Sequence, residues 1–317
     1  MFSAAPPPPG GAVSGVLGLT RLARLAFPSP TGPVLDALNT ARLDEYLRDL
    51  LSSHGLGPAA ADPAAGGESY GEMAGELLEL AVPEQEPVDL LVLAYSIPDI
   101  SPGHSLTARL SRQCPGNPLA FAISDQGTAA SFTGLRLVRQ YTRDTGLHRA
   151  VLLVVEQALL PYDPGVPVAV PDGHTGVALV FSDDDAPSSA DRPVHLGSVV
   201  TRAGLPDEAL PREINTLCAD TQPVTLILSA ALADRVKAPD VDRLRTAQVG
   251  QPFTGVWWEL ANELSLASDT PHRIVLGDYD PQQSCLCLAA LEVGAAGEPL
   301  SVGARSALTA EPLPADA

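Results

Sequence analysis

LAFAISDQGTAASFTGLRL, residues Leu119 to Leu137, is the stretch that decides the fold. Leu119–Ser124 is an apolar run of strand length. Asp125, Gln126, Gly127 and Thr128 follow as a turn. A helix is expected from Ala129 to about Thr145, closed by Gly146 as a glycine cap. A buried strand that enters a helix through a glycine turn is the joint of a βα unit. It points the free N–H groups and the positive dipole end of the helix at one spot above the strand. Such a spot suits an oxyanion or an activated nucleophile.

Working outward, Val88–Tyr95 (VDLLVLAY) and Ala150–Val155 (AVLLVV) are continuous apolar runs, the pattern of strands buried on both faces. Leu106 to Arg112 reads as a short helix between strands. Strand–helix–strand–helix–strand order requires crossover connections and a mostly parallel sheet. Further upstream, Ala12 to Phe27 reads as a strand, a turn and apolar residues broken by Arg21 and Arg24. Val34 to Leu51 and Tyr70 to Ala81 carry apolar residues at helical spacing, separated by a small-residue loop at Pro58 to Gly67. Downstream, Thr175–Phe181, Leu196–Ala203 and Val224–Leu228 read as strands, with Ser182 to Asp191 as an acidic loop. Thr254 to Leu266 is a helix carrying Trp257 and Trp258. One of the two is expected in the core and the other over a pocket or interface. His272–Gly277 and Ser284–Val293 are strands joined by a turn from Asp278 to Gln283. The second half echoes the first. A duplicated α/β unit follows, with a flexible Pro-rich tail at 1–11, halves at 12–170 and 171–297, and a C-terminal tail at 298–317.

Composition narrows the partners. The chain has 317 residues with 19 Lys and Arg against 38 Asp and Glu, a formal net charge of −19. That disfavours nucleic acid and anionic membranes, which need a basic surface. No stretch reaches the ~18 apolar residues of a membrane span, and the first residues lack the charged start and apolar segment of a signal peptide. A cytoplasmic location is the expectation. Cys114, Cys218, Cys285 and Cys287 form no C-x-x-C pair and have no accompanying His cluster. They read as small buried hydrophobes in a reducing compartment. No metal site and no cofactor are expected.

Three segments carry a resemblance: VDLLVLAYSIPD before the junction, AFAISDQGTAASFTGLRL across it and HRAVLLVVEQ after it. They resemble the condensing-enzyme branch of the thiolase superfamily, closest to ketoacyl-ACP synthase III. The resemblance spans roughly Val88 to Val293 and is fainter in the second half. It implies a thiolase-like duplicated αβαβα sandwich. In that family a nucleophilic Cys opens the helix after the junction. A His follows an apolar strand of the second half, and an Asn follows a Gly at the next helix start. Counting back from Leu135 places Thr128 at the nucleophile position, whereas counting forward from Phe121 places Gly127 there. An insertion is better tolerated in a turn than in a helix, which favours Thr128. Ser229, after VTLIL, stands at the His position, and Gln251, after Gly250, at the Asn position. Asp125, Gln126 and Gly127 would line the pocket. In some relatives a Gln replaces the Cys in proteins that decarboxylate or act as chain-length partners, and Gln126 lies two residues from that position.

A Thr–Ser–Gln set in place of Cys–His–Asn weakens the chemistry. A Thr hydroxyl needs a base beside it, and Ser229 is not a base near neutral pH. His174, in a DGHTG turn, and the remaining histidines, at loops or element ends, read as structural or solvated. The resemblance therefore implies a non-condensing, pseudo-ketosynthase subunit of a polyketide or fatty-acyl pathway. It would bind or position an acyl thioester or partner an active ketosynthase. Two other readings stand beside it. One is an active acyltransferase or condensing enzyme working through Thr128 or a rearranged site. The other is a small-molecule binding protein using the old acyl pocket. Partners implied are acyl-CoA or an acyl carrier protein, docked on Arg136, Arg139 and Arg143, which share one helix face. A homodimer, or a heterodimer with a ketosynthase-like chain, is also implied, its first halves meeting through the strand Ala150–Val155.

Overall fold

The computed structural model describes residues 17–27, 37–53, 55–56, 68–101, 105–145, 147–160, 162–165, 168–182, 192–220, 222–237, 239–295, 297–300 and 302–306. The Pro-rich tail, the loop at 58–67, Gly146, residues 183–191 and the chain from 307 onward lie outside them.

Five strands build the first half-sheet: β1 (Gly18–Phe27), β2 (Leu90–Ala94), β3 (Leu119–Ile123), β4 (Arg149–Glu156) and β5 (His174–Ser182), in the order β3-β2-β4-β5-β1. β2 runs parallel to β3 and β4, and β5 runs antiparallel to β4 and β1. The second half-sheet holds β6 (Val194–Ala203), β7 (Val224–Leu228), β8 (Arg243–Thr246), β9 (His272–Asp280) and β10 (Cys285–Val293) in the order β6-β10-β9-β7-β8. Here β7 is parallel to β8 and β9, and β10 is antiparallel to β9 and β6. Counted from its own first strand, each half has the same order and the same directions, so the chain is a duplication. β1 and β6 touch at Gly18 and His195, joining the two sheets.

The described residues form seven helices: α1 (Ala37–Ser52), which buries Leu43, Leu47 and Leu51 in a cluster of its own with Leu56 and Tyr162, and α2 (Tyr70–Ala81), α3 (Leu106–Gln113), α4 (Ala129–Thr145), α5 (Leu210–Cys218), α6 (Ala230–Ala233) and α7 (Gly255–Leu264), which cover the sheets. Alternation along the strands sorts the side chains into three cores. Leu91, Leu93, Val151 and Leu153 meet Tyr70, Met73 and Leu77 of α2 on one outer face. Leu90, Val92, Leu152 and Val154 face the middle, where they meet Phe132 of α4 and Trp257 of α7. Leu226, Leu228, Val275 and Leu288 meet α5 and α6 on the other outer face. The result is helix, sheet, helix, sheet, helix, with α4 and α7 as the shared central layer. Phe132 and Trp257 pack at 5.0 Å between ring centroids across that layer. Trp258 is half-buried and lies beneath the Arg24 guanidinium.

Several expectations change. The division at residue 171 falls one strand early: β5 hydrogen-bonds β4 and β1, so the second repeat of strand pairings starts at Val194. Within the expected C-terminal tail, Val302–Ser306 form β11, parallel to β1. Ala150–Val155 cannot pair with a partner chain, because β4 is hydrogen-bonded along both edges by β2 and β5. The free edge of that half-sheet is β3. His174 is the first residue of β5 and is buried. The turn expected at 278–283 shortens, because β9 runs on through Asp280.

Candidate functional site

The C-terminal ends of β3, β4, β7 and β9 converge at the heads of α4 and α7. After β3 the chain reverses twice, with Asp125 at φ 60 and Gly127 at φ 51. Ala129 N–H donates to the Gln126 carbonyl at 3.0 Å, and Thr133 Oγ1 donates to Gln126 Oε1 at 2.7 Å. These bonds pin the turn to the first turns of α4.

Asp280, the last residue of β9, reaches across from the other half. Its Oδ2 accepts the Thr128 N–H at 3.2 Å. Its Oδ1 accepts the N–H groups of Gln282 and Gln283 at 2.9 and 3.0 Å. A Cβ on Gly127 would lie 1.7 Å from Asp280 Oδ2. The carboxylate therefore fills the space in which any side chain at position 127 would begin. The positive end of the helix, which the sequence reading reserves for a substrate oxyanion, holds an internal anion.

The duplication repeats this contact. Glu156 is the last residue of β4, as Asp280 is of β9. It is fully buried, and its Oε2 accepts the Phe253 N–H at 2.9 Å, just ahead of α7. Its Oε1 accepts the Thr175 hydroxyl at 2.7 Å and the Thr254 hydroxyl. Each half thus caps the central helix of the other with a carboxylate. Burial raises the Glu156 pKa, against the lowering pull of the donors around it.

Asp278 lies two residues before Asp280 on the same strand face. Burial pushes it up to about 7, against the lowering effect of the Ser229 hydroxyl and the Tyr279 N–H. Ser229 caps α6, its oxygen accepting the Leu232 N–H. Gln251 sits in the turn ahead of α7, donating its N–H to the Gln248 carbonyl and accepting from Gly255. Thr128 is hydrogen-bonded to Asp280, and Ser229 to Asp278 two residues earlier on the same strand, while Gln251 lies two residues before Phe253, whose N–H Glu156 accepts. No hydrogen bond joins any two of the three among the described residues. Thr128 Oγ1 is buried without a partner there. Burial raises the Cys285 and Cys287 thiols, on the β10 face beside the two aspartates, so neither is poised as a thiolate. On α4, Arg136 and Arg143 are exposed and Arg139 is half-buried.

Sequence reasoning missed Asp278, Asp280 and Glu156. The signal for Glu156 was an ionisable residue closing the run AVLLVV, which must find donors once buried. For the aspartates it was the alternation Asp-Tyr-Asp continuing the strand.

No protein-family model and no curated protein sequence matches the chain. Solved structures do match over nearly its whole length. ChlB3, an acyltransferase, superposes with a TM-score of 0.58 at 15% identity, over 90% of this chain and 99% of its own. AbyA1, a tetronic acid condensing enzyme, gives 0.56 at 16%, over 87% and 99%. A 3-oxoacyl-(acyl-carrier protein) synthase from Burkholderia xenovorans gives 0.56 at 14%, over 92% and 97%. At these identities the likeness is one of fold. Together with the duplicated half-sheets and the shared central helices, it gives this chain the thiolase fold that these enzymes share.

Proposed function

We propose that the protein is a ketosynthase III-like subunit that does not condense acyl groups by itself. It binds or positions an acyl thioester, or partners an active ketosynthase of a polyketide or fatty-acyl pathway. The observation that carries this reading is the Asp280 carboxylate on the Thr128 N–H. Condensation develops negative charge on a thioester carbonyl and on an enolate, and a fixed carboxylate beside the helix head opposes both. No thiolate or imidazole is present at Thr128 or Ser229, and Gln251 is one methylene longer than Asn. Losing a single oxyanion donor typically costs ~10²–10³ in rate, and here the nucleophile is weakened as well.

The test is turnover with acetyl-CoA and malonyl-ACP. The unmodified protein is expected to give no condensation above background, and robust product would sink the reading. The triple change Thr128→Cys, Ser229→His and Gln251→Asn is expected to gain activity only when Asp280→Asn is added.

A second reading, acyl transfer through Thr128, is favoured by the unpartnered Thr128 Oγ1. Intact mass after incubation with acyl-CoA separates the two. An adduct that disappears in Thr128→Ala supports transfer, and no adduct supports the non-condensing subunit.

A further inference from the structure

A cleft of about 250 Å³ opens beside the head of α4, outside the carboxylate cluster. Tyr46 and Leu50 of α1, Tyr95 after β2 and Leu106 of α3 wall it, and Asp99 and Asp125 bring its charge. Among the described residues no Arg, Lys or His lines it.

Asp99 is only 8% exposed. Its Oδ1 accepts the Tyr70 N–H at 3.2 Å, the Ser101 N–H at 3.3 Å and Gln157 Nε2 at 3.4 Å. Its Oδ2 is buried with no partner among the described residues. An acceptor left bare beside a cleft is costly unless something in the cleft donates to it. Asp125 is exposed and is steadied by the Ser124 hydroxyl, which donates to its Oδ2 at 2.9 Å. Burial raises the phenol pKa of Tyr46, Tyr95 and Tyr162, and the Asp125 charge adds to each. Tyr46 and Tyr95 line the cleft together with Asp125.

We propose that this cleft binds a small organic ammonium ion, with Asp99 and Asp125 as counter-charges and the rings of Tyr46 and Tyr95 as its walls. The chemistry selects against the alternatives. Two carboxylates with no lining cation among the described residues repel phosphates and carboxylates. Among the described residues no group of His, Cys, Asp or Glu is arranged to hold a metal ion. Aromatic faces attract an alkylammonium through the ring quadrupole while shedding its apolar shell from water. A net charge of −19 draws cations toward the protein from a distance. The proposal is independent of whether the α4 site turns over.

The test is calorimetric titration of the purified protein with choline, with tetramethylammonium and with dimethylbutanol, the neutral carbon isostere of choline. Both cations are expected to bind one site, and the isostere at least about tenfold more weakly. Asp125→Asn and Tyr46→Leu are expected each to weaken choline by about three- to tenfold. Both positions are exposed, and Asn tolerates the positive φ of position 125, so the variants are expected to melt as the parent does. Equal affinity for the isostere would overturn the proposal. So would no heat with either cation up to about 50 mM, or variants that bind choline unchanged.

Discussion

Asp278 and Asp280 stand two positions apart on one strand, yet their chemistry diverges. Asp280 holds three N–H donors between its two oxygens. Asp278 is 1% exposed, and burial dominates, lifting its carboxyl to about 7. The unfolded chain releases that proton near pH ~4, so between about pH 4 and 7 the folded state binds more protons. Its contribution to stability is full below about pH 4 and is lost as pH rises toward 7. Urea unfolding should therefore show Asp278→Asn losing a pH-dependent part of the parent's stability, on the order of 2–4 kcal/mol between pH 5 and 8. A parent and variant with the same pH slope would rule this out. In the sequence both residues fall in the segment from Asp278 to Gln283 that reads as the turn joining two strands. Local propensity could not reveal that a helix from the other half needed a carboxylate there. Thr128, by contrast, was placed at the helix head by counting alone.

At the scale of elements, two strands with continuous apolar runs were legible as buried strands, whereas β3, also read as buried, exposes Leu119 and Ala122 and buries only Ile123, because it is the open edge of its half-sheet. LLVLA at 90–94 is buried at every position, and the run at 150–155 likewise. β8 was not legible. Its RLRT is mostly exposed at the outer end of the second half-sheet, so it shows no apolar period. The central helix α4 illustrates how packing overrides propensity. Gly134 in mid-helix should cost about 1 kcal/mol relative to Ala. A Cβ there would sit 2.6 Å from Leu152 Cδ1 and 3.3 Å from Val92 Cγ1, both in fully buried side chains. Overpacking of a filled core costs ~1–3 kcal/mol. Gly134→Ala is expected to lower the melting temperature by a few degrees, about 2–5 °C. A rise would show that Leu152 yields freely. β3 raises a different question. Among the described residues it pairs only with β2, and Leu119 is 51% exposed, so its open edge invites another strand. A homodimer joined there should become a monomer by light scattering on Leu119→Lys with Ala122→Lys. A parent that is already monomeric at micromolar concentration, with no partner chain present, would count against the homodimer.

For the whole molecule, the decisive feature is how the two halves hold each other. Neither half-sheet completes its inner face alone: both lean on α4 and α7, and Phe132 of one half packs on Trp257 of the other. Asp280 secures the head of α4, and Glu156 the turn ahead of α7, each from the opposite half. The duplication was readable in the repeated strand order, but this exchange was not, because it depends on which strand ends face which helix heads. It follows that the halves cannot open separately without exposing the central layer and stripping two buried carboxylates of the donors that the opposite half supplies. Unfolding should therefore be a single transition. Both tryptophans, Trp257 and Trp258, belong to the second half but pack on Phe132 and under Arg24 of the first, so their fluorescence reports on the second half together with its contact to the first. A fluorophore attached at Ala122→Cys, after the four native cysteines are changed to Ala, reports on the first. The two signals are expected to coincide in urea, and Asp280→Asn should shift both midpoints downward together. Loss of a charged cap of this kind is worth about 1–2 kcal/mol. A fluorescence transition separated from the label's would show that each half stands alone, and that the exchanged carboxylates serve the helix heads without binding the halves into one folding unit.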